Sequence, residues 1–308
     1  MATTTSITTT YAGEFAGQYI AAALLSGTTL GNQAITIRPN VKYKEVVKRL
    51  STTDIIANAT CDFTPTGTVT LDERILEPEE LQVNLQLCKD DFQSDWEAVQ
   101  MGYSAHDQLP PNFTQFFIAH MADVVGEANE QTIWHGIDAT AGEYDGFVTK
   151  MTADGTVIDV VGTTIDPTNV IAELTKVYNS IPQSIYGTDD LFIYCSPLVV
   201  RSYMIALGGF GANGLGAAGY MSQGTVGEKP LNFSGIPLFM TNGLQTSFMV
   251  AAQKRNMWFG TGLMSDQNEV KVLDMADLDG SQNVRFVMRY TADVQYGYGS
   301  EVVLYTPA

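Results

Sequence analysis

One glycine-rich stretch of this sequence resembles a motif that binds nucleotides. The stretch LGGFGANGLGAAGYMSQGTVGEK (207–229) contains Gly209-Phe-Gly211-Ala-Asn-Gly214, which matches the pattern G-x-G-x-x-G. A dinucleotide-binding loop needs a strand before this motif and a helix after it, so that the helix N-terminus meets the pyrophosphate. Here a predicted helix, PLVVRSYMIAL, comes before the motif, and more glycine follows it. The stretch therefore predicts a conformationally adaptable loop and no nucleotide site.

Histidine and acidic residues are the next candidates for chemistry. The three histidines, His106, His120 and His135, show neither H-x-H nor H-x-x-x-H spacing, so we expect no metal site. His120 falls within a predicted apolar helix face, which indicates a core position. Adjacent acids such as Asp189 and Asp190 point apart and do not form an acid/base pair. DMADLDGS lacks the register of a calcium loop and predicts a hairpin turn.

The cysteines indicate a protein that folds in a reducing compartment. Cys61, Cys88 and Cys195 are far apart and form no C-x-x-C motif. Cys88 and Cys195 lie in apolar strand patterns, which favours inert buried thiols. G-x-S-x-G is also absent from the sequence. From the sequence we expect no catalytic residue, no cofactor and no metal, and hence no enzyme.

Composition limits the partners that the chain can have. Charged residues make up 16% of its 308 residues, below the roughly 25% of an ordinary soluble domain. This predicts that much of the surface is covered by copies of the same chain. A net charge of −18 disfavours binding to nucleic acid or to anionic lipid. The start, MATTTSITTT, has no signal-peptide pattern, and the longest apolar run is too short to span a membrane.

The first quarter of the chain predicts an arm followed by a charged hairpin. Six of the first ten residues are threonine, and a short helix is predicted in GEFAGQYIAAALLSG. The next segment, ITIRPNVKYKEVVKRL, has a net charge of +4. Residues 51–110, in contrast, carry twelve acids against two bases. Strand patterns around Val41 and Tyr43 and in TVTLDERIL predict a long hairpin with its tip between them. The predicted contacts to other copies are five basic residues of that segment: Arg38, Lys42, Lys44, Lys48 and Arg49.

A strand and a long helix follow. ELQVNLQLC alternates apolar and polar residues from Leu81 to Leu87, which predicts a half-buried strand. Asn112 is a predicted N-cap for a helix that ends near His135. Its predicted apolar face consists of Phe113, Phe116, Phe117, His120, Met121, Val124 and Ala128.

The second half predicts an α/β lobe and a return to strands. DPTNVIAELTKVYNSIP is a predicted helix starting at Pro167, DLFIYCS a buried strand, and PLVVRSYMIAL a second helix. GIPLFMTNG and SFMVAAQKRNMWFG are two further strand candidates. NEVKVLDMA and NVRFVMRYTADVQYGYG form a terminal hairpin around Asp279-Gly280, and SEVVLYT is a last strand. The inward residues of the first helix are predicted to be Val170, Ile171, Leu174, Val177 and Tyr178.

This order of elements resembles the major capsid protein of tailed bacteriophages, which has the Hong Kong 97-type fold, an α+β class. The resemblance covers nearly the whole chain, and it is clearest in RILEPEELQVNLQLCKDDFQSDWEA and VMRYTADVQYGYGSEVVLYT. It implies an N-terminal arm at 1–35, an extended loop at 36–76 and an axial domain at 161–261. It also implies a peripheral domain at 77–160 and 262–298 with a long spine helix, and residues 299–308 returning to the axial domain. The axial loop would contain Gly208, Gly209, Gly211, Gly214, Gly216 and Gly219.

The resemblance also implies a function and a set of partners. The chain would assemble with itself, as pentamers and hexamers, into an icosahedral shell around the double-stranded DNA of a tailed phage. Because the sequence starts directly with the arm, we expect a separate scaffolding protein, together with a portal and decoration proteins. We expect a location in the virion capsid, assembly in the host cytoplasm, no sequence-specific nucleic-acid binding and no membrane. No residue pair maps onto the isopeptide cross-link of some family members.

Two alternatives stay open at this point. The shell protein of an encapsulin-like nanocompartment has the same fold, and a cargo-docking groove would favour it. A cytosolic nucleotide-dependent enzyme is the other class, and tight nucleotide binding by a monomer would favour that.

Overall fold

A computed structural model describes residues 9–12, 27–41, 43–53, 55–59, 61, 67–88, 111–207, 231–262 and 269–308. The helices are α1 (Thr28–Gly31), α2 (Pro111–His135), α3 (Phe147–Ala153), α4 (Val170–Ser180), α5 (Pro197–Leu207) and α6 (Ala276–Asp279). The strands of the first half are β1 (Thr9–Ala12), β2 (Thr36–Arg38), β3 (Glu45–Thr53), β4 (Thr68–Leu76), β5 (Glu79–Cys88), β6 (Ile158–Gly162) and β7 (Leu191–Cys195). Those of the second half are β8 (Asn232–Phe233), β9 (Ile236–Met240), β10 (Met249–Gln253), β11 (Met257–Thr261), β12 (Glu269–Asp274), β13 (Asn283–Tyr296) and β14 (Val303–Pro307).

The first sheet is built around β13, the longest strand in the described residues. Its N-terminal part is antiparallel to β5 on one edge and to β12 on the other, because the same residues pair with both. Its C-terminal part pairs with β11, which in turn runs parallel to β2. β1 lies antiparallel to β12. Helices α2 and α3 contribute Ile133, Trp134, Phe147 and Met151 to the apolar core of this sheet.

The second sheet has the strand order β6-β14-β10-β7-β9-β8. β7 runs parallel to β9 and β14 parallel to β6, while β10 is antiparallel to its neighbours. Helices α4 and α5 contribute Val170, Leu174, Val177 and Val199 to a core of its own. The predicted α/β lobe is therefore present, and the last strand returns to it.

Strand pairing changes one sequence expectation. SFMVAAQKRNMWFG is not one strand: β10 belongs to the second sheet and β11 to the first, with a turn at Lys254–Asn256 between them. Both strands are fully buried, so hydrophobicity alone could not separate them. β2, at the predicted boundary between the arm and the extended loop near residue 36, lies in the first sheet. β6, at the predicted boundary between the peripheral and axial domains near residue 160, lies in the second sheet. The domain boundaries themselves stay predictions.

Helix α2 buries a different face from the predicted one. Val125, Asn129 and Ile133 are buried, whereas His120, Val124 and Ala128 are exposed. The prediction failed because polar contacts select the face: Asn129 Oδ1 accepts a hydrogen bond from the buried Tyr144 hydroxyl at 3.0 Å. The side chains of Phe113, Phe116 and Phe117 lie outside the described part of the chain.

Two predicted helix starts are also wrong. α2 begins at Pro111, so Asn112 lies inside the helix and is not its N-cap. α4 begins at Val170, because Asp166 Oδ1 accepts backbone N–H bonds from Thr168 and Asn169 and closes a separate turn around Pro167. Ile171, predicted to point inward, is 46% exposed. The terminal hairpin is confirmed, with the short helix α6 as its connection and Gly280 at a positive φ of 73°.

Candidate assembly surface

The predicted long hairpin is present as a two-stranded sheet. β3 and β4 pair antiparallel from Glu45 opposite Leu76 to Thr53 opposite Thr68. The first strand starts at Glu45 and not near Val41, which is buried and donates its backbone N–H to the Thr261 carbonyl. A two-stranded ribbon is marginally stable by itself in water. This hairpin therefore depends on contacts with something else.

The two faces of the hairpin differ in composition. Residues directly opposite each other in an antiparallel pair share a face, and successive residues alternate between faces. The inner face carries Arg49, Arg74 and the fully buried Leu76 toward the first sheet. The outer face carries five exposed aliphatic side chains: Val46 (46% exposed), Leu50 (59%), Val69 (65%), Leu71 (63%) and Ile75 (42%).

This outer face is the clearest candidate for a contact surface. Leu50 lies opposite Leu71, and Val46 lies opposite Ile75. Between these pairs Lys48 lies opposite Glu73, so the charges on this face balance. Exposed aliphatic side chains gathered on one face and bordered by charges are typical of an interaction site on a soluble protein. Sequence analysis predicted the hairpin but missed this face, although the alternation in VTLDERI is a signal for it.

The basic residues predicted to touch other copies have partners in their own chain. Arg38 forms an ion pair with Glu45, Lys44 Nζ lies 2.6 Å from Glu77, and Arg49 lies 3.3 Å from Asp72. The hydrogen bond to Glu77 raises the pKa of Lys44. Lys48 is exposed on the outer face. Lys42 lies outside the described residues, as do Gly208, Gly209, Gly211, Gly214, Gly216 and Gly219. The intersubunit role of all these residues stays a prediction.

A buried carboxylate fixes the segment that enters the fold from the N-terminal side. Glu130 on α2 is 3% exposed, and it accepts hydrogen bonds from the Thr29 backbone N–H at 3.0 Å and the Thr28 hydroxyl at 2.7 Å. The Thr29 hydroxyl donates to Glu130 at 2.5 Å and accepts from Trp134 Nε1 at 2.9 Å. A Cβ at Gly243 would lie 2.0 Å from the Glu130 carbonyl oxygen. Segment 27–35, α2 and the loop after β9 therefore meet at one point.

A polar cleft of about 790 Å³ lies at the C-terminal end of α2. His135 lines it, and its Nε2 accepts the backbone N–H of Gln245 at 3.0 Å. Burial lowers the pKa of His135 to about 4, so the ring is neutral at physiological pH. Its edge contacts Phe248, with ring centroids 4.9 Å apart. In this position the histidine is a hydrogen-bond acceptor that holds the loop before β10.

The His135 pKa gives a testable pH dependence. In the unfolded chain this histidine binds a proton near pH 6.5, whereas in the folded chain it stays neutral down to about pH 4. Stability should therefore fall as the pH drops through this window. We expect His135→Gln, which keeps an acceptor but has no proton to gain, to lose less melting temperature than the wild type between about pH 7 and pH 5. Equal losses in the two proteins would contradict this role.

Burial sorts the three cysteines. Cys195 is fully buried, and burial raises the pKa of its thiol well above the usual value, as expected of an inert side chain. Cys88 is half-buried and Cys61 is exposed. Among the described residues, no group of three or more histidine, cysteine, aspartate or glutamate side chains is arranged to hold a metal ion. None of the described helices is long and apolar enough to cross a membrane.

Similarity to known proteins appears at the level of structure. No protein-family model and no curated protein sequence matches the chain. A structure from Gordonia phage Cozz matches with a TM-score of 0.61 and 12% identity, over 92% of this chain and 87% of that one. The capsid of Myoviridae phage XM1 matches with a TM-score of 0.59 and 11% identity, over 92% of each chain.

A virus-like particle from Pyrococcus furiosus matches with a TM-score of 0.54 and 8% identity, over 96% of this chain and 99% of that one. At such identities the likeness establishes the fold alone. The chain has the Hong Kong 97-type fold of phage major capsid proteins.

Proposed function

We propose that this chain is the major capsid protein of a tailed phage, which self-assembles into the icosahedral shell around the phage's double-stranded DNA. The observation that carries the proposal is the outer face of the hairpin. Its five aliphatic side chains are 42–65% exposed on a ribbon that has only two strands in the described residues. A surface of this kind gains stability when a second copy of the chain covers it.

The free energy gained when one outer face is buried is modest, but it becomes large because a shell repeats the contact many times. Full burial of one Val, Leu or Ile contributes about 1.5–3 kcal/mol relative to full exposure. Since the five side chains are roughly half exposed, covering them contributes on the order of 5 kcal/mol before entropic costs. A subunit held by several neighbours in a closed shell multiplies such contacts. Assembly can therefore be strong although each hairpin contact is small.

The net charge of the chain supports a container for DNA. The net charge of −18 makes the average surface repel phosphate, so packed DNA would slide along the wall without sticking to it. The proposed partners are other copies in pentamers and hexamers, a separate scaffolding protein, a portal and decoration proteins. The proposed site of assembly is the host cytoplasm. Within the described residues, no observation favours a nanocompartment shell or a nucleotide-dependent enzyme.

Expression of the chain alone tests the proposal. The purified protein should elute in size-exclusion chromatography as rings of five and six copies and as larger closed particles visible by negative-stain electron microscopy. A protein that remains a monomer at every concentration, both alone and when co-expressed with its scaffolding protein, would refute self-assembly. Closed particles that enclose a specific protein cargo when produced in the native cell would support the nanocompartment alternative instead.

A further inference from the structure

Three arginines lie over aromatic rings at the C-terminal side of the first sheet: Arg38 on β2, and Arg49 and Arg74 on the hairpin. Such stacking attracts the guanidinium to the ring face and suits arginine better than lysine. The distances from Cζ to the ring centroid are 5.0 Å for Arg38 over Trp258, 5.6 Å for Arg49 over Tyr298 and 5.0 Å for Arg74 over Tyr296.

Arg74 is also held at its charged end. It forms an ion pair with Asp154, whose side chain is 14% exposed. The same carboxylate accepts hydrogen bonds from the Tyr296 hydroxyl at 2.8 Å and from the Thr156 hydroxyl at 2.8 Å. Burial alone would raise the pKa of Asp154, but the hydrogen bonds from Thr156, Tyr296 and Arg74 outweigh it and hold the pKa well below its usual range. The ion pair therefore persists in mild acid.

Arg49 fixes the opposite strand of the hairpin. Its Nη1 donates to the Gly297 carbonyl at 2.8 Å, and its Nη2 lies 3.3 Å from Asp72 on the paired strand. The side chain of Arg49 is 19% exposed, so its guanidinium is largely shielded from water, whereas Asp72 is 54% exposed. Gln295 Nε2 donates to the Ile75 carbonyl at 2.9 Å and so ties β13 directly to the backbone of β4.

The very base of the hairpin forms a pivot. Leu76 is fully buried against Gly260, where a Cβ would lie 2.7 Å from the leucine side chain. The next residue, Glu77, donates its backbone N–H to Asp293 at 3.0 Å. At about 3.3 Å per residue, Arg74 lies about 7 Å from Leu76 along the ribbon. The Arg49–Asp72 pair lies about 13 Å from Leu76 in the same direction. Because the two arginines bind the ribbon away from this pivot, their contacts can fix the angle between the hairpin and the first sheet.

We propose that Arg49 and Arg74, together with Asp154, Tyr296 and Tyr298, form an arginine clamp that fixes the angle at which the hairpin leaves the first sheet. The clamp holds the outer face where a second copy of the chain meets it. This role in assembly rests on the proposed function. A nine-residue ribbon is about 30 Å long, so a tilt of about 10° at the base moves its far end by about 5 Å. Such a shift is about as large as the distance between neighbouring strands of a sheet. It would move the outer face out of contact with the surface of the second copy.

The test replaces the planar guanidinium while keeping its charge. Arg49→Lys, Arg74→Lys and the double variant are compared with Arg255→Lys, whose side chain is 70% exposed and pairs with Asp190 instead of with the hairpin. Hydrogen–deuterium exchange measures the opening of residues 45–76 and of the body separately, and electron microscopy measures the yield of shells. We expect the double variant to exchange the hairpin amides about tenfold faster with an unchanged body and to give about tenfold fewer shells. Arg255→Lys should match the wild type in both measurements.

The outcomes distinguish the clamp from the proposed function. Hairpin exchange equal to that of the wild type in the double variant overturns the clamp. A loosened hairpin that still gives a normal shell yield overturns its role in assembly. Wild-type protein that never forms shells refutes the proposed function, while the exchange data still decide the clamp. If the double variant fails to fold, the single variant Arg49→Lys decides. Arg49 lies on β3, whose residue at the base of the hairpin, Glu45, is only half-buried, whereas Leu76 at the base of β4 is fully buried.

Discussion

The double substitution Leu50→Asp and Leu71→Asp is expected to abolish shell formation and to leave the subunit folded. These residues lie directly opposite each other at the centre of the outer face and are 59% and 63% exposed. Because both are already in contact with water, the isolated subunit loses little when they become carboxylates. A subunit interface would have to bury two charges without partners, which costs several kcal/mol. Size-exclusion chromatography and negative-stain microscopy measure the loss of shells, and circular dichroism measures the fold.

Leu278→Asp is the matched control for this experiment. Leu278 is 58% exposed on α6, and so the same chemical change is made at the same exposure outside the hairpin. The control should form shells as the wild type does. Shells of normal size from the Leu50/Leu71 variant would show that the outer face is not an interface. An unfolded variant would show that the face already has a partner within the subunit.

Glu130→Ala is expected to destabilise the folded subunit strongly. The carboxylate accepts hydrogen bonds from Thr28 and from both the backbone and the hydroxyl of Thr29. Alanine would leave these donors unpaired in a buried site, each at a cost of about 1–3 kcal/mol. We expect the free energy of unfolding to fall by about 3–4 kcal/mol, measured by urea denaturation of dissociated subunits at neutral pH.

Glu127→Ala provides the comparison one turn earlier on the same helix. Glu127 is exposed, so its removal should change the free energy of unfolding by less than about 0.5 kcal/mol. Glu130→Gln keeps one acceptor oxygen and should lie between the two. If all three variants unfolded at the same urea concentration, Glu130 would not anchor segment 27–35.

The sequence predicts elements better than it predicts their partners. The alternation in ELQVNLQLC correctly indicates β5, and the position of Pro197 correctly indicates α5, because both signals are local. The buried face of α2 escapes prediction because Glu130 and Asn129 are polar, and their partners at Thr29 and Tyr144 are distant in the sequence. The sequence does not show that β10 and β11 are two strands in different sheets, because every residue of both strands is buried.

The candidate surface shows the same limit. A cluster of bases in VKYKEVVKRL predicts electrostatic contact with other copies, yet strand register brings Arg49 beside Asp72, 23 positions away. The stacking of Arg49 on Tyr298 and of Arg74 on Tyr296 depends on where β13 ends relative to the hairpin. No local pattern encodes that relation. The outer aliphatic face follows from the register once β3 and β4 are paired.

An electron cryomicroscopy reconstruction of the assembled protein tests the central claim most directly. The account predicts a closed shell in which Leu50 and Leu71 of each hairpin are buried against a neighbouring subunit. A closed shell that leaves both leucines in solvent, or a protein that exists only as separate monomers, would contradict it.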